Sequence, residues 1–120
     1  MNQMPTLQQR QQTQRRLRDA CRTRAQRLAQ IGWISRGYVQ DRGPGAGGPC
    51  YQWTRKEKEK TVSVALSQEQ YQAMKQAITN WRTAQEILQQ MESLSRQMIF
   101  HTLPEPRRRK HLSRKTIGAS

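Results

Sequence analysis

The sequence predicts a small α+β protein that is mainly helical, and three observations support this fold class. Residues 8–30 and 67–103 contain no glycine or proline, and their apolar residues recur at helical spacing. Between them, residues 50–54 and 61–66 are rich in side chains that favour β-strands. Only 33% of the 120 residues are hydrophobic, so we expect one small domain that borrows apolar contacts from another chain.

The first segment, residues 1–30, is predicted to be a basic helix rich in glutamine and arginine. Its apolar residues form one narrow stripe, made of Leu17, Cys21, Ala25 and Leu28. Its arginines flank this stripe, with Arg15, Arg18 and Arg22 on one side and Arg16, Arg24 and Arg27 on the other. We expect the stripe to pack on a partner helix while the arginines contact phosphates. A solvated helix that is merely rich in arginine is the alternative.

Residues 31–66 are predicted to form a glycine-rich loop and a β-hairpin. Residues 31–39 contain a short extended segment, and the glycines and prolines of residues 43–49 predict a flexible connector. This connector lacks the Lys-Ser or Lys-Thr ending of a phosphate-binding loop. Only a plain connector is therefore predicted there.

The hairpin is predicted from two runs, residues 50–54 and 61–66, on either side of a charged tip at residues 55–60. Pairing of the runs places the large apolar side chains on one face: Tyr51, Trp53, Val62, Val64 and Leu66. The other face is small and polar, with Thr61, Ser63 and Ala65. An isolated hairpin is marginally stable, so its apolar face must pack on a helix.

Residues 67–103 are predicted to form one long amphipathic helix. Ser67 followed by Gln70 is a capping-box pattern, and Pro104 marks the end of the helix. The later apolar residues form a stripe that we expect at an interface: Ile87, Met91, Leu94 and Met98. A helical hairpin with residues 8–30, a protein partner or a second copy of the chain would bury this stripe.

The charge of the chain is concentrated in its two terminal segments. Residues 1–42 have a net charge of +7 and residues 101–120 a net charge of +5, out of a total of +14. The chain has sixteen arginines and six lysines. This excess favours nucleic acid, because a guanidinium group donates two hydrogen bonds to a phosphate and stacks on bases. We therefore predict DNA or RNA as the partner.

The predicted nucleic-acid contacts lie in the first helix, in the loop and hairpin, and in a basic tail at residues 104–120. They are Arg15, Arg16, Arg18, Arg22, Arg24, Arg27, Arg36, Arg42, Arg55, Lys56, Arg107, Arg108, Arg109, Lys110, Arg114 and Lys115. For the tail, the alternative is a disordered segment that only adds solubility. Four aromatic residues are candidates either for stacking on unpaired bases or for the core: Trp33, Tyr38, Tyr51 and Trp53.

The residues that usually form catalytic, metal or cofactor sites are scattered. Cys21 and Cys50 lack CxxC spacing and a nearby histidine pair, which predicts two reduced thiols rather than a zinc site or a disulfide. His101 and His111 are isolated, and the acidic residues form no cluster suited to a nuclease. No apolar run has the length of a membrane span, and the N-terminus lacks the pattern of a secretory signal. We expect a cytoplasmic protein that is not an enzyme and has no cofactor.

Residues 48–56 (GPCYQWTRK) and 60–70 (KTVSVALSQEQ) resemble a family of short bacterial proteins of unassigned function. These proteins are often encoded beside transposase genes and other mobile-element cargo, and the resemblance covers roughly residues 31–100. It implies the order helix, hairpin, long helix, and work with transposon DNA or RNA. Many members carry a cysteine-rich segment just upstream, whereas residues 39–49 of this chain contain no cysteine. The resemblance therefore implies no zinc function here.

Two functions are compatible with the sequence. The first is a nucleic-acid-binding accessory protein of a mobile genetic element, which binds phosphates through its first helix and its tail. The second is an interaction subunit of a larger ribonucleoprotein or transposase complex, which docks on a protein through its long helix. The sequence contains no signature of a known sequence-specific DNA or RNA reader.

Overall fold

The computed structural model describes residues 6–45 and 47–106 and confirms the α+β, mainly helical fold class. Within these residues, two helices and three strands follow one another. They are α1 (Leu7–Ala29), β1 (Tyr38–Asp41), β2 (Tyr51–Glu57), β3 (Lys60–Leu66) and α2 (Gln68–Thr102).

Both helices begin at a capping box. The Thr6 hydroxyl accepts a hydrogen bond from the backbone N–H of Gln9 at 3.1 Å, and the Gln9 side chain accepts one from the Thr6 N–H at 2.8 Å. Ser67 and Gln70 make the same reciprocal pair, at 3.1 and 2.9 Å, as the sequence predicts. Each box satisfies backbone donors that have no partner inside the helix, so both starting points are fixed locally.

The sheet has three antiparallel strands in the order β1-β2-β3, one more than the predicted hairpin. β1 pairs with β2, with Tyr38 opposite Thr54 and Asp41 opposite Tyr51. A hydrogen bond of 2.7 Å from the Arg42 N–H to the Cys50 carbonyl oxygen continues this pairing into the glycine-rich connector. A strand of four residues is too short for a clear period-two pattern, so its strand character comes from the partner strand rather than from its own sequence.

The hairpin of β2 and β3 has the predicted faces but a tighter turn. Tyr51 lies opposite Leu66 and Trp53 opposite Val64, so the large apolar side chains share one face. Pairing extends through the charged tip as far as Glu57 and Lys60, which leaves a two-residue turn. Both turn residues have positive φ, 48° at Lys58 and 67° at Glu59.

The core is thin and lies mainly between α1 and α2. Its buried apolar residues are Leu17 of α1 and Ala77, Ile78, Ala84 and Ile87 of α2. The helices run antiparallel, because Arg24 of α1 bonds Gln90 while Ser35, after α1, bonds the carbonyl oxygen of Ala77. The helical hairpin with residues 8–30, one of the predicted ways to bury the long helix, is therefore present within the single chain. The molecule is elongated, with extents of 70 × 35 × 23 Å.

Candidate nucleic-acid interface

Five arginines form an exposed surface on the side of α1 that faces away from α2. This arginine surface consists of Arg15, Arg16, Arg18, Arg22 and Arg27, all of them exposed. At about 100° per residue, three of its members lie on one side of the exposed face and two on the other. The two rows follow from the sequence spacing, because both flank the exposed face that lies opposite Leu17, the residue that packs towards α2.

The arginine surface has no carboxylate partners in the described part of the chain. The ion pairs found there join Arg55 to Glu57 at 2.9 Å and Arg96 to Glu92 at 3.1 Å. Asp19 is the one acidic residue of α1, and it pairs with none of the five arginines. Like charges at i,i+4, such as Arg18 and Arg22, cost a helix about 0.2–0.5 kcal/mol per pair. The folded chain therefore presents an uncompensated positive surface.

Arg24 is placed differently from the other arginines of α1, because it joins the two helices. It is half-buried. Its Nε donates a hydrogen bond to the Gln90 side-chain oxygen at 3.0 Å, and one terminal nitrogen donates to the Ala20 carbonyl oxygen at 3.3 Å. These bonds use the Nε–H and one terminal N–H of the guanidinium group, so Arg24 takes part in the scaffold that joins the helices.

Two further candidate arginines lie against tryptophan rings. The guanidinium carbon of Arg36 is 4.8 Å from the centroid of the Trp81 ring, and that of Arg55 is 4.7 Å from the Trp53 ring. The first of these cation–π contacts joins the segment before β1 to α2, and the second lies within β2. Arg55 also forms the ion pair with Glu57, which reduces the charge it offers to a ligand.

The aromatic candidates divide into two pairs. Trp53 is half-buried, and its ring nitrogen donates a hydrogen bond of 3.0 Å to the Arg36 carbonyl oxygen. Tyr51 stacks on Tyr71 with the ring centroids 4.7 Å apart. Tyr51 therefore belongs to the packing between the sheet and α2, and Trp53 packs against the segment before β1 that contains Arg36 and Gly37. Trp33 and Tyr38 are 80% and 64% exposed, so their rings remain accessible.

The remaining predicted contacts are not gathered around α1. Arg42 follows β1, and Lys56 is exposed near the tip of the hairpin. Arg10 and Arg82 are exposed basic residues outside the predicted set. The sequence signals that could have included them are their charge and, for Arg10, its position five residues before Arg15. The tail residues, Arg107, Arg108, Arg109, Lys110, Arg114 and Lys115, lie outside the described residues.

The predicted interface stripe of α2 shares the face of a core residue. Ile87 is only 2% exposed within the single chain. Met91, Leu94 and Met98 follow it at helical spacing and are half-buried. Contact of this stripe with another chain stays a prediction, and Ile87 has no free surface to contribute to it.

Shallow grooves lie on the surface of the described residues. An apolar groove of about 350 Å³ lies beside Trp33, Ile34, Leu66 and Met74. A second groove, of about 390 Å³, lies beside Phe100 and His101 near the end of α2. Across residues 6–45 and 47–106, no three histidine, cysteine or acidic side chains are grouped as a metal site would require.

Comparison with protein-family models, with curated proteins and with solved structures finds no match to this chain. Neither described helix is long and apolar enough to span a bilayer.

Proposed function

We propose that the chain is a non-catalytic protein that binds nucleic acid by its phosphate backbone, through the arginine surface of α1 and the basic tail. The observation that carries this proposal is the arginine surface itself, five exposed guanidinium groups without a carboxylate partner in the described part of the chain. A protein that needed only solubility would gain more from mixed charges, which avoid repulsion within one helix.

The dimensions of the arginine surface suit a polyanion. From Arg15 to Arg27 it extends about 18 Å along the helix axis. Over that length each strand of a duplex carries about five phosphates at 3.4 Å per base pair. Guanidinium groups bind phosphates with two parallel hydrogen bonds, and each neutralised phosphate releases condensed counterions. Binding is therefore expected to be driven largely by counterion release.

The salt dependence of binding tests the proposal. Anisotropy of a labelled 20-mer duplex, measured between 50 and 200 mM NaCl with the full chain, gives log K against log salt concentration. If about six to eight basic residues contact phosphates, the slope is roughly −5 to −7. Replacing Arg15, Arg18 and Arg22 with glutamine should make the slope shallower by about 3. The matched control is Arg82→Gln, which removes one exposed charge from α2 and should leave binding nearly unchanged.

A chain that fails to bind duplexes or single strands of DNA and RNA at low salt would contradict the proposal. A flat salt dependence would contradict it as well, because contacts to phosphate cannot be insensitive to salt.

We further propose that the protein acts in the cytoplasm as an accessory protein of a mobile genetic element. We infer this setting from the expected resemblance of residues 48–56 and 60–70 to proteins encoded beside transposase genes. Sequencing of the nucleic acid that co-purifies with the tagged chain tests it. Enrichment of mobile-element DNA or of its transcripts is the expected result, and a random sample of the genome would contradict it.

A second candidate function is docking on a protein of a larger ribonucleoprotein or transposase complex through α2. Exposed apolar residues near the end of that helix favour it, with Phe100 80% and Ile99 49% exposed, followed by Leu103 at 59%. Replacing Phe100 and Leu103 with serine should then abolish partner binding without changing nucleic-acid affinity. Ile87→Ser is unsuitable for this test, because it would place a hydroxyl group in the core.

A further inference from the structure

The part of α1 between the two arginine rows carries polar side chains suited to reading bases. Asp19 and Gln26 are exposed there, and the exposed Gln8 and Gln12 continue the same line before Arg15, towards the start of the helix. At about 100° per residue they all lie within about 20° of a line drawn midway between the rows. Neither these glutamines nor the Asp19 carboxylate has a hydrogen-bond partner in the described part of the chain, so their donors and acceptors face solvent.

The arginine rows are placed symmetrically about this polar line. Arg15, Arg18 and Arg22 lie on average about 65° to one side of it, and Arg16 and Arg27 about 70° to the other. A helix that follows the backbone of one nucleic-acid strand needs only one basic row to contact its phosphates. Two rows with a polar strip between them match a ligand that has phosphates on both sides of a groove and base edges at its floor.

Access to this side of α1 is open in the described part of the chain. Among the secondary-structure elements, α1 contacts α2 alone, and the sheet lies on α2. Packed helix axes are about 8–10 Å apart, and the major groove of B-DNA is about 12 Å wide and 8.5 Å deep. One helix about 10–12 Å across can therefore enter the groove while the helix behind it stays outside.

The composition of α1 distinguishes between nucleic acids. It contains no aromatic residue, so it offers no ring on which an unpaired base can stack. The major groove of duplex RNA is too deep and narrow for side chains to read, whereas its shallow groove displays 2′-hydroxyls and little sequence information. Duplex DNA is the nucleic acid whose groove accepts both the arginine rows and the polar strip.

We infer that the ligand of α1 is duplex DNA, bound in the major groove with Gln12, Asp19 and Gln26 towards the base edges. This inference rests on the proposed function and adds the substrate class and a specificity role. Glutamine pairs with the N6 and N7 positions of adenine through two hydrogen bonds, and a carboxylate accepts from the amino group of cytosine. Asp19 is then a selectivity residue, since its charge weakens contact with any sequence that does not offer a donor.

The test uses the full chain and a library of duplex DNA with a randomised 20-base-pair centre, selected over several rounds at about 150 mM NaCl. The expected result is an enriched motif of a few base pairs. The protein should bind the selected duplex at least tenfold more tightly than a duplex RNA of the same sequence or either single DNA strand.

Variants separate base reading from phosphate binding. Gln12→Ala and Gln26→Ala should each reduce affinity for the selected duplex about 5- to 100-fold, and affinity for random duplex less than about twofold. Asp19→Asn should raise the affinity for random duplex DNA. The ratio of the affinity for the selected duplex to that for random duplex should therefore fall. Alanine favours helix more than glutamine does, so α1 should remain folded in these variants, and circular dichroism is the measurement that checks this. Gln89→Ala, on the exposed side of α2, is the matched control and should change neither affinity.

Each outcome bears on one statement. Equal binding of duplex DNA and duplex RNA overturns the inference, as does a library without enrichment or a Gln12→Ala variant with unchanged preference. The proposed function survives those results if binding still depends steeply on salt. Loss of all binding at low salt overturns the proposed function itself.

Discussion

Gly37 is a single residue on which the approach of the linker, residues 30–37 between α1 and β1, to the sheet depends. Its φ is 118°, a conformation that side chains disfavour, and a Cβ built there would collide with the ring nitrogen of Trp53 and lie 2.9 Å from the Thr54 carbonyl oxygen. Gly37→Ala would therefore force the linker away from Trp53 and break the hydrogen bond from that ring to Arg36. We expect the free energy of unfolding in urea to fall by about 2 kcal/mol or more.

Gly32→Ala is the control for this substitution. The nearest atom to a Cβ at position 32 is the Asn80 amide nitrogen at 3.8 Å, which is an ordinary contact. Its unfolding free energy should change by less than about 0.5 kcal/mol. If both glycine variants were equally stable, the close packing of the linker on Trp53 would be wrong.

Arg22 and Arg24 are neighbours in sequence with different predicted effects. Arg24→Gln loses the hydrogen bond to Gln90 that joins the helices, so the unfolding free energy should fall by about 1 kcal/mol. Arg22→Gln loses only an exposed charge, so stability should be unchanged while the salt slope of DNA binding becomes shallower by about 1. Urea unfolding of both variants measures the change in stability, and anisotropy measures the change in the salt slope of DNA binding. Identical behaviour of the pair would contradict the separation of scaffold from arginine surface.

Among the elements, the β2–β3 hairpin carries a conformational cost in its turn. Lys58 and Glu59 both have positive φ. This backbone conformation costs a residue with a side chain about 1–2 kcal/mol, whereas glycine adopts it freely. Glu59→Gly should therefore raise the unfolding free energy by about 1 kcal/mol, because two-residue hairpin turns favour glycine. Glu59→Gln removes the same charge and keeps the side chain, so it should not stabilise. Equal gains in both variants would assign the effect to charge rather than to the backbone.

How far the elements could be predicted depended on how local their causes are. The start of α2 was predicted because the Ser67–Gln70 box is made within four residues. β1 was read only as extended, because its pairing with β2 crosses the glycine-rich connector. The roles of Arg24 and Arg36 depend on Gln90 and on the Trp81 ring, which lie far along the chain, and helical spacing alone cannot reveal such partners.

At the scale of the whole molecule, stability and ligand binding make opposite demands on the same helix. The core of the described residues contains few fully buried side chains, and among their helices and strands α1 contacts α2 alone. The arginine surface lies on that lightly attached helix and repels itself. A polyanion would relieve this repulsion, so binding of nucleic acid should also stabilise the hairpin of α1 and α2.

Screening of this repulsion gives a prediction that needs no ligand. The formal net charge is +14, and the Debye length falls from about 30 Å at 0.01 M salt to about 10 Å at 0.1 M. Relief of one or two kcal/mol should raise the unfolding temperature by about 5 °C between 0.01 and 0.3 M NaCl. Chloride is the appropriate anion, since sulfate would bind the arginines and mimic a ligand. The variant with Arg15, Arg18 and Arg22 replaced by glutamine should be more stable than the natural chain at 0.01 M and respond less to salt. If the natural chain instead lost stability with added salt, attractive ion pairs would have to outweigh the repulsion among the arginines. The arginine surface would then not be an uncompensated positive charge, and the proposed binding of phosphate depends on that charge.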